Sequence, residues 1–210
     1  MDTKAKRDIF IKINEAVHNC KKCRLHRYRT NAVPGEGNIN ADIAFVGEAP
    51  GAREDALGRP FVGRSGMMLE ELLKKVGLSR RDVWIGNVIK CRPPENRDPM
   101  VDEIRACSPY LEKQLELINP KVIVTLGRFA MDFFLPKAKI SEVHGKPYRV
   151  RSFVIYPLYH PAAALRNGNL KAVLTKDFLN LKKVLVMKKN EIPFFGEEKK
   201  EEEEDQPSLF

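Results

Sequence analysis

The sequence predicts an α/β protein: a three-layer α/β/α sandwich around a central, mostly parallel four-stranded sheet. Three observations carry this expectation. Four short runs, at 42–47, 83–88, 122–127 and 153–157, are almost wholly apolar, as strands buried on both faces are. Segments with helical apolar spacing lie between them. The chain is 210 residues long and 43% hydrophobic, which supplies one core of ordinary domain size and excludes global disorder.

The elements follow in order. Ile9, Phe10, Ile13 and Val17 recur at helical spacing, so residues 7–19 form a helix that delivers Cys20. From 31 to 40, Pro34, Gly35 and Gly37 break any period, which reads as a loop. The strand at 42–47 runs into a Gly/Pro-rich turn. Met68, Leu69, Leu72, Leu73 and Val76 then share one face of a helix over 65–76. After the strand at 83–88, Pro93, Pro94 and Pro99 make 91–100 irregular. Residues 101–118 read as helical, with Pro109 kinking or splitting them. The strand at 122–127 leads to a short helix over 129–135. The strand at 153–157 precedes a final helix over 170–187. No repeat is visible. The organisation is one domain over 1–196 and an acidic, low-complexity tail over 197–210 that reads as disordered.

No apolar run approaches the roughly 20 residues of a membrane-spanning helix, and the N-terminus lacks a signal-peptide pattern. The expected location is therefore intracellular, in the cytoplasm, with no membrane partner. Net charge is +9, but the last fourteen residues hold seven acids and two lysines. Residues 1–196 thus carry 35 basic against 21 acidic residues, a net +14. A basic body with an acidic tail is the footprint of a polyanion binder; a generic lysine-rich surface is the plainer alternative. Glutamine occurs only at Gln114 and Gln206 among many Lys and Glu, a composition that leans towards a thermophile.

Four cysteines in such a protein are not by default a disulfide framework. Cys20 and Cys23 form a close pair, whereas Cys91 and Cys107 have fifteen residues between them. Four thiolates suit an all-cysteine zinc site or an iron–sulfur cluster equally. His18 and His26 beside the first pair keep a mixed zinc site open. The segment Cys20-Lys21-Lys22-Cys23-Arg24 is too polar for a core, which argues for ligation over four unrelated buried cysteines.

In α/β proteins, ligands bind at the carboxyl ends of strands. Glu48 follows the first strand, Asn87 ends the second and His160 follows the fourth. Singly, each has a plain explanation: a solvated carboxylate, a turn residue, a helix cap before Pro161. Three at one sheet edge make a site. The stretch from Gly47 to Gly66 is glycine-rich and precedes a helix, which favours close approach of an anion. It has no Gly-Lys-Ser/Thr and no G-x-G-x-x-G, so a Mg-triphosphate site is excluded. Phe61, between Pro60 and Val62, reads as a stacking platform or as an anchor packing the loop down.

This stretch closely resembles the first signature of the family 4 uracil-DNA glycosylases, the thermostable iron–sulfur branch of the uracil glycosylase superfamily. His160-Pro161-Ala162-Ala163-Ala164-Leu165 resembles the second signature. Gly86-Asn87-Val88-Ile89-Lys90-Cys91-Arg92-Pro93-Pro94 is similar to the family's uracil-reading strand with its third cysteine. The four-cysteine spacing is similar to that of its [4Fe-4S] site. The resemblance runs from about Cys20 to the last helix and excludes the tail.

The resemblance implies a uracil-glycosylase-like fold and a monofunctional enzyme. That enzyme would flip uracil from single- or double-stranded DNA and hydrolyse its N-glycosidic bond, leaving an abasic site. Uracil would stack on Phe61, and the Asn87 amide would pair with its N3–H and O4. Backbone groups around Gly47, Glu48 and Ala49 would line the remaining edge. His160 would donate to O2 as charge develops there. Cys20, Cys23, Cys91 and Cys107 would hold one structural [4Fe-4S] cluster, and catalysis would need no divalent metal. One departure matters. Better-known uracil glycosylases carry an aspartate where this chain has Ala49, so water activation falls to Glu48, Glu54 or Asp55, with Glu48 the first candidate.

Arg92, Arg97 and Arg166 flank the pocket motifs and are candidates for phosphate contact. Gln206, Leu209 and Phe210 resemble the start of a sliding-clamp-binding box, so the replication clamp is a candidate partner of an otherwise monomeric protein. A non-catalytic iron–sulfur DNA-binding module of the same fold is the competing reading, disfavoured by the intact Asn87 and His160.

Overall fold

A computed structural model of the chain describes residues 2–196. Helix α1 (Thr3–His18) buries Phe10, Ile13 and Val17 and ends just before Cys20. The two-residue strand β1 (Glu36–Gly37) leads to β2 (Ile43–Gly47), then to α2 (Ala52–Leu57) and α3 (Arg64–Lys75). Strand β3 (Trp84–Asn87) is followed by a short 3-10 turn, Pro94–Asn96, and by α4 (Val101–Ile118). Strand β4 (Val122–Leu126), α5 (Arg128–Phe134), α6 (Ile140–Val143) and β5 (Tyr148–Val150) come next. Strand β6 (Phe153–Leu158), α7 (Pro161–Arg166) and α8 (Gly168–Val186) complete the domain.

The sheet has six strands in the order β1-β3-β2-β4-β6-β5. The four predicted strands form its parallel centre, and an antiparallel strand closes each edge. Successive residues of β2 serve opposite layers. Ile43 and Phe45 pack with Leu69, Leu72 and Leu73 of α3 and Phe178 and Leu181 of α8. Ala44 and Val46 pack with Phe10 of α1, Leu111 and Leu115 of α4 and Met131 of α5. This alternation across a pleated strand makes three layers.

Three expectations need correction. The sheet is not four-stranded: β1 lies within the segment read as a loop, and β5 was not foreseen. The Gly/Pro-rich turn contains a helix, α2, stopped at Gly58 with φ +68. Pro109 does not split α4, which runs unbroken from Val101 to Ile118. Pro109 is exposed, so the Arg105 carbonyl left without its N–H partner can be hydrated. Meanwhile Cys107, Leu111, Gln114 and Leu115 hold the inner face.

Candidate functional site

The chain leaves β2, pairs β3 on one side, then crosses to β4 on the other. A crevice therefore opens at the carboxyl end of β2, where α/β sheets place their sites. Gly47 and Asn87 face each other in the parallel register there. Glu48, Ala49, Phe61, Asn87 and His160 line one pocket, together with Glu54, Ser65, Pro93, Asn96, Arg97, Asp98 and Arg166. The structure thus brings together every residue proposed for base contact except Gly47, which packs against Asn87 and Phe61 behind the lining. A Cβ on Gly47 would lie 2.5 Å from Asn87 Oδ1 and 2.6 Å from Phe61 Cζ, so only glycine lets ring and amide approach. The Gly47 and Glu48 carbonyls accept from Val88 N–H (2.9 Å) and Ile89 N–H (3.1 Å).

Phe61 is held from both sides. Its φ is +51, a strained value for a bulky residue that persists only where neighbours impose it. Arg80 Nη1 donates to the Phe61 carbonyl (2.9 Å) and Nη2 to the Pro60 carbonyl (2.6 Å). Glu54 accepts from the N–H groups of Val62 (3.0 Å) and Gly63 (2.8 Å). The ring packs into the core, as an anchor does, and also lines the pocket.

Asn87 is buried, yet among the described residues its side-chain amide makes no hydrogen bond. A buried amide is ordinarily satisfied, and here the open direction is the pocket. His160 caps α7 through Nδ1, which accepts from Ala162 N–H at 3.0 Å. A backbone N–H can only donate, so Nδ1 carries no proton. Burial lowers the imidazole pKa to about 4, against a smaller raising influence of Glu54. His160 is therefore neutral near pH 7 with its proton on Nε2, a donor. Gly127 makes room for it: its φ is +90, and a Cβ there would lie 2.9 Å from His160 Cβ.

The three carboxylates separate by what they hold. Asp55 is buried and accepts from Thr30 and Asn31 N–H groups. Glu54 is bound to the Phe61 loop. The Glu48 carboxylate has no hydrogen-bonding partner among the described residues, and its pKa is raised to about 7 by burial and then by Asp98, with Arg128 opposing. Sequence reasoning missed Asp98 and the holding role of Glu54, because both act across the fold rather than along the chain.

The arginines differ too. Arg166, the last residue of α7, is exposed at the pocket. Arg97 spends both Nη groups on Glu103, which is wholly buried, at 2.9 and 2.6 Å. It is a strut for the pocket wall first. Arg92 Nε donates to Asn96 Oδ1 at 2.8 Å and does not line the pocket.

The four cysteines, none of them in a disulfide, surround one cavity at the end of α1 together with Lys90, His26 and Tyr110. Among the described residues no group of three or more His, Cys, Asp or Glu side chains converges as a single metal ion requires. Burial pushes the Cys107 thiol up to about 12 and raises Cys91 and Cys23 as well, so these sulfurs become thiolates only when something cationic displaces the protons. Donors already point at them: Arg29 Nη1 to Cys91 Sγ at 2.9 Å and Lys90 N–H to Cys107 Sγ at 3.2 Å. His18, considered beside the first pair, does not line the cavity. Gln206, Leu209 and Phe210 lie outside the described residues. No described helix is long and apolar enough to cross a membrane.

The profile of the Uracil DNA glycosylase superfamily matches residues 34–182. The type-4 uracil-DNA glycosylase of Sulfurisphaera tokodaii is 50% identical over 192 residues, 87% of this chain and 87% of that protein. The type-4 enzyme of Thermotoga maritima is 48% identical over 170 residues, 79% of this chain and 88% of its own length. The type-5 uracil-DNA glycosylase of Thermus thermophilus is 35% identical over 154 residues, covering 64% and 70%.

Proposed function

The chain belongs to the uracil-DNA glycosylase superfamily, and from that membership we propose that it excises uracil from DNA, single- or double-stranded, by hydrolysing the N-glycosidic bond. The observation that carries this reading is the pairing, in one pocket, of a partnerless Asn87 amide with an imidazole fixed as an Nε2–H donor.

A base inside a duplex is out of reach, so the nucleotide turns out into the pocket and uracil stacks on Phe61. The Asn87 amide accepts from N3–H and donates to O4, a match that cytosine, with a donor at position 4, lacks. N–H groups of the Glu48–Ala49 turn line the far edge. As the glycosidic bond breaks, negative charge gathers on departing uracil and His160 Nε2–H meets it at O2. Glu48 takes the proton of the water that completes hydrolysis, leaving an abasic site. No step uses a divalent metal. The test is direct: purified protein with excess EDTA releases free uracil from a uracil-containing oligonucleotide. Binding of a U·G duplex without release would leave only a DNA-binding module.

Cys20, Cys23, Cys91 and Cys107 hold a [4Fe-4S] cluster in this reading. Four thiols around a shared cavity are the ligand set that such a cluster takes. The cluster supplies a crosslink between the end of α1, the Cys91 loop and α4. That loop continues into Pro93, Asn96, Arg97 and Asp98 of the pocket wall, so the crosslink steadies the site without entering the chemistry.

The basic body binds phosphates, with Arg166 the foremost contact, Arg92 beside it, and Arg97 acting mainly through Glu103. Binding weakens with salt as counterions are released. Arg166→Ala is expected to flatten the plot of log affinity against log salt by close to one phosphate's worth, about 0.9 for duplex DNA. An unchanged slope removes Arg166 from the interface. The enzyme acts as an intracellular monomer, and its composition suits a thermophile. Gln206, Leu209 and Phe210 would dock the tail in a clamp groove, the acidic linker giving reach. Deleting 206–210 abolishes clamp binding in calorimetry and spares uracil release; binding that survives the deletion ends this assignment.

A further inference from the structure

Lys90 is the least expected buried residue in the molecule. It is 1% exposed, and its Nζ is buried with no hydrogen-bond partner. Among the described residues no carboxylate pairs with it. Nζ lies over the Trp84 ring, 5.4 Å from its centroid, a partial offset at best. The side chain is not free to swing into water, because its own backbone is fixed at both ends. Lys90 N–H donates to Cys107 Sγ at 3.2 Å and its carbonyl accepts from Val33 N–H at 2.8 Å. An ammonium buried without an anion costs several kcal/mol, a cost that an anion in the space beside it would offset. Lys90 lines the cavity ringed by Cys20, Cys23, Cys91 and Cys107, where its backbone N–H already reaches Cys107 Sγ.

A second cation reaches one of these sulfurs from outside the cavity lining. Arg29 donates through Nη1 to Cys91 Sγ at 2.9 Å, and through Nη2 to the carbonyls of His18 at 2.6 Å and Cys20 at 3.2 Å. It thus ties the segment carrying the first cysteine pair to the third cysteine. Four thiolates carry more negative charge than the iron–sulfide core carries positive, so the ligated cluster is a net anion.

We propose that Lys90, backed by Arg29, is the fixed counter-charge of that cluster, a positioning residue that retains the cluster and sets its potential. The proposal rests on the iron–sulfur reading above. Met matches the lysine stem in length and removes the charge. Lys90→Met is expected to fold, because an apolar side chain relieves a buried charge.

The experiment compares wild type, Lys90→Met and Lys90→Arg, purified anaerobically as holoprotein. A ferrous chelator should strip iron from Lys90→Met about tenfold faster than from wild type. Film voltammetry should place its cluster potential lower by about tenfold in the reduction equilibrium, ~59 mV for one electron. Lys90→Arg, which keeps the charge and changes the shape, should stay near wild type in both. Lys90→Met matching wild type in either reading overturns the proposal, since faster iron loss at an unchanged potential is only a packing defect. Lys90→Arg shifting as far as Lys90→Met overturns it too. Wild type that carries zinc and no iron sinks the cluster reading itself, a different and distinguishable failure.

Discussion

His160→Ala is expected to release uracil roughly 100- to 1,000-fold more slowly at saturating oligonucleotide, the usual cost of removing one donor from a developing oxyanion. KM should change little, because the charge on O2 exists mainly in the transition state and not in bound substrate. The reason lies in the tautomer. Ala162 N–H occupies Nδ1, and a pKa near 4 keeps the ring neutral. The donor is therefore present at every pH where the protein works, and no wild-type pH dependence above about pH 5 is to be assigned to His160. The substitution also removes the cap of α7, a loss of about 0.5–2 kcal/mol in stability. Single-turnover rates should accordingly be read with the thermal midpoint of the same sample. His160→Asn separates the two effects, since its amide can cap the helix or donate to the base. A His160→Ala protein that retains more than a third of the wild-type rate would remove this residue from the chemistry.

What could be read from the sequence, and what could not, follows from how far each interaction reaches along the chain. The four central strands announced themselves because burial on both faces leaves an apolar run. β1 and β5 did not: two and three residues at the sheet edges bury too little to leave a pattern. α2 was hidden by the glycines at 51 and 58 that bound it. Asn87 and His160 were legible because each ends or follows a strand, so one-dimensional order already places them at one edge. The choice among Glu48, Glu54 and Asp55 was not legible. It depends on Thr30 and Asn31 capturing Asp55 from 25 and 24 residues away, and on the Phe61 loop capturing Glu54. Arg97 is a similar case, a surface arginine in sequence and the partner of a wholly buried Glu103 in the fold. Lys90 is the furthest from legible. A lysine at the end of an apolar strand reads as the first solvated residue, and only the fold reveals that it is buried beside the cavity that the four cysteines line.

Glu48→Gln is expected to slow uracil release by about 100-fold at pH 8, the lower end of what a general base contributes, and to change the shape of the pH profile. The wild-type Glu48 pKa is raised to about 7, by burial first and Asp98 second. Only its carboxylate form can take a proton from water. In the free enzyme that form dominates above pH 7 and falls tenfold for each unit below, so kcat/KM should climb with a slope of one up to about pH 7 and then level. Glutamine cannot titrate, and that limb should vanish. Because His160 stays neutral across the window, no second group confuses the assignment. Asp98→Asn supplies an independent check on the cause. It removes a negative charge that disfavours ionisation of Glu48, so the limb should move to lower pH while the plateau rate stays close to wild type. A different outcome is chemically possible: bond breaking can run so far ahead of water attack that a base gains little. In that case the wild-type profile is flat from pH 5 to 9 and Glu48→Gln costs only a few-fold. Glu48 would then line the pocket without activating water, and the rate would rest on Asn87, Phe61 and His160 alone.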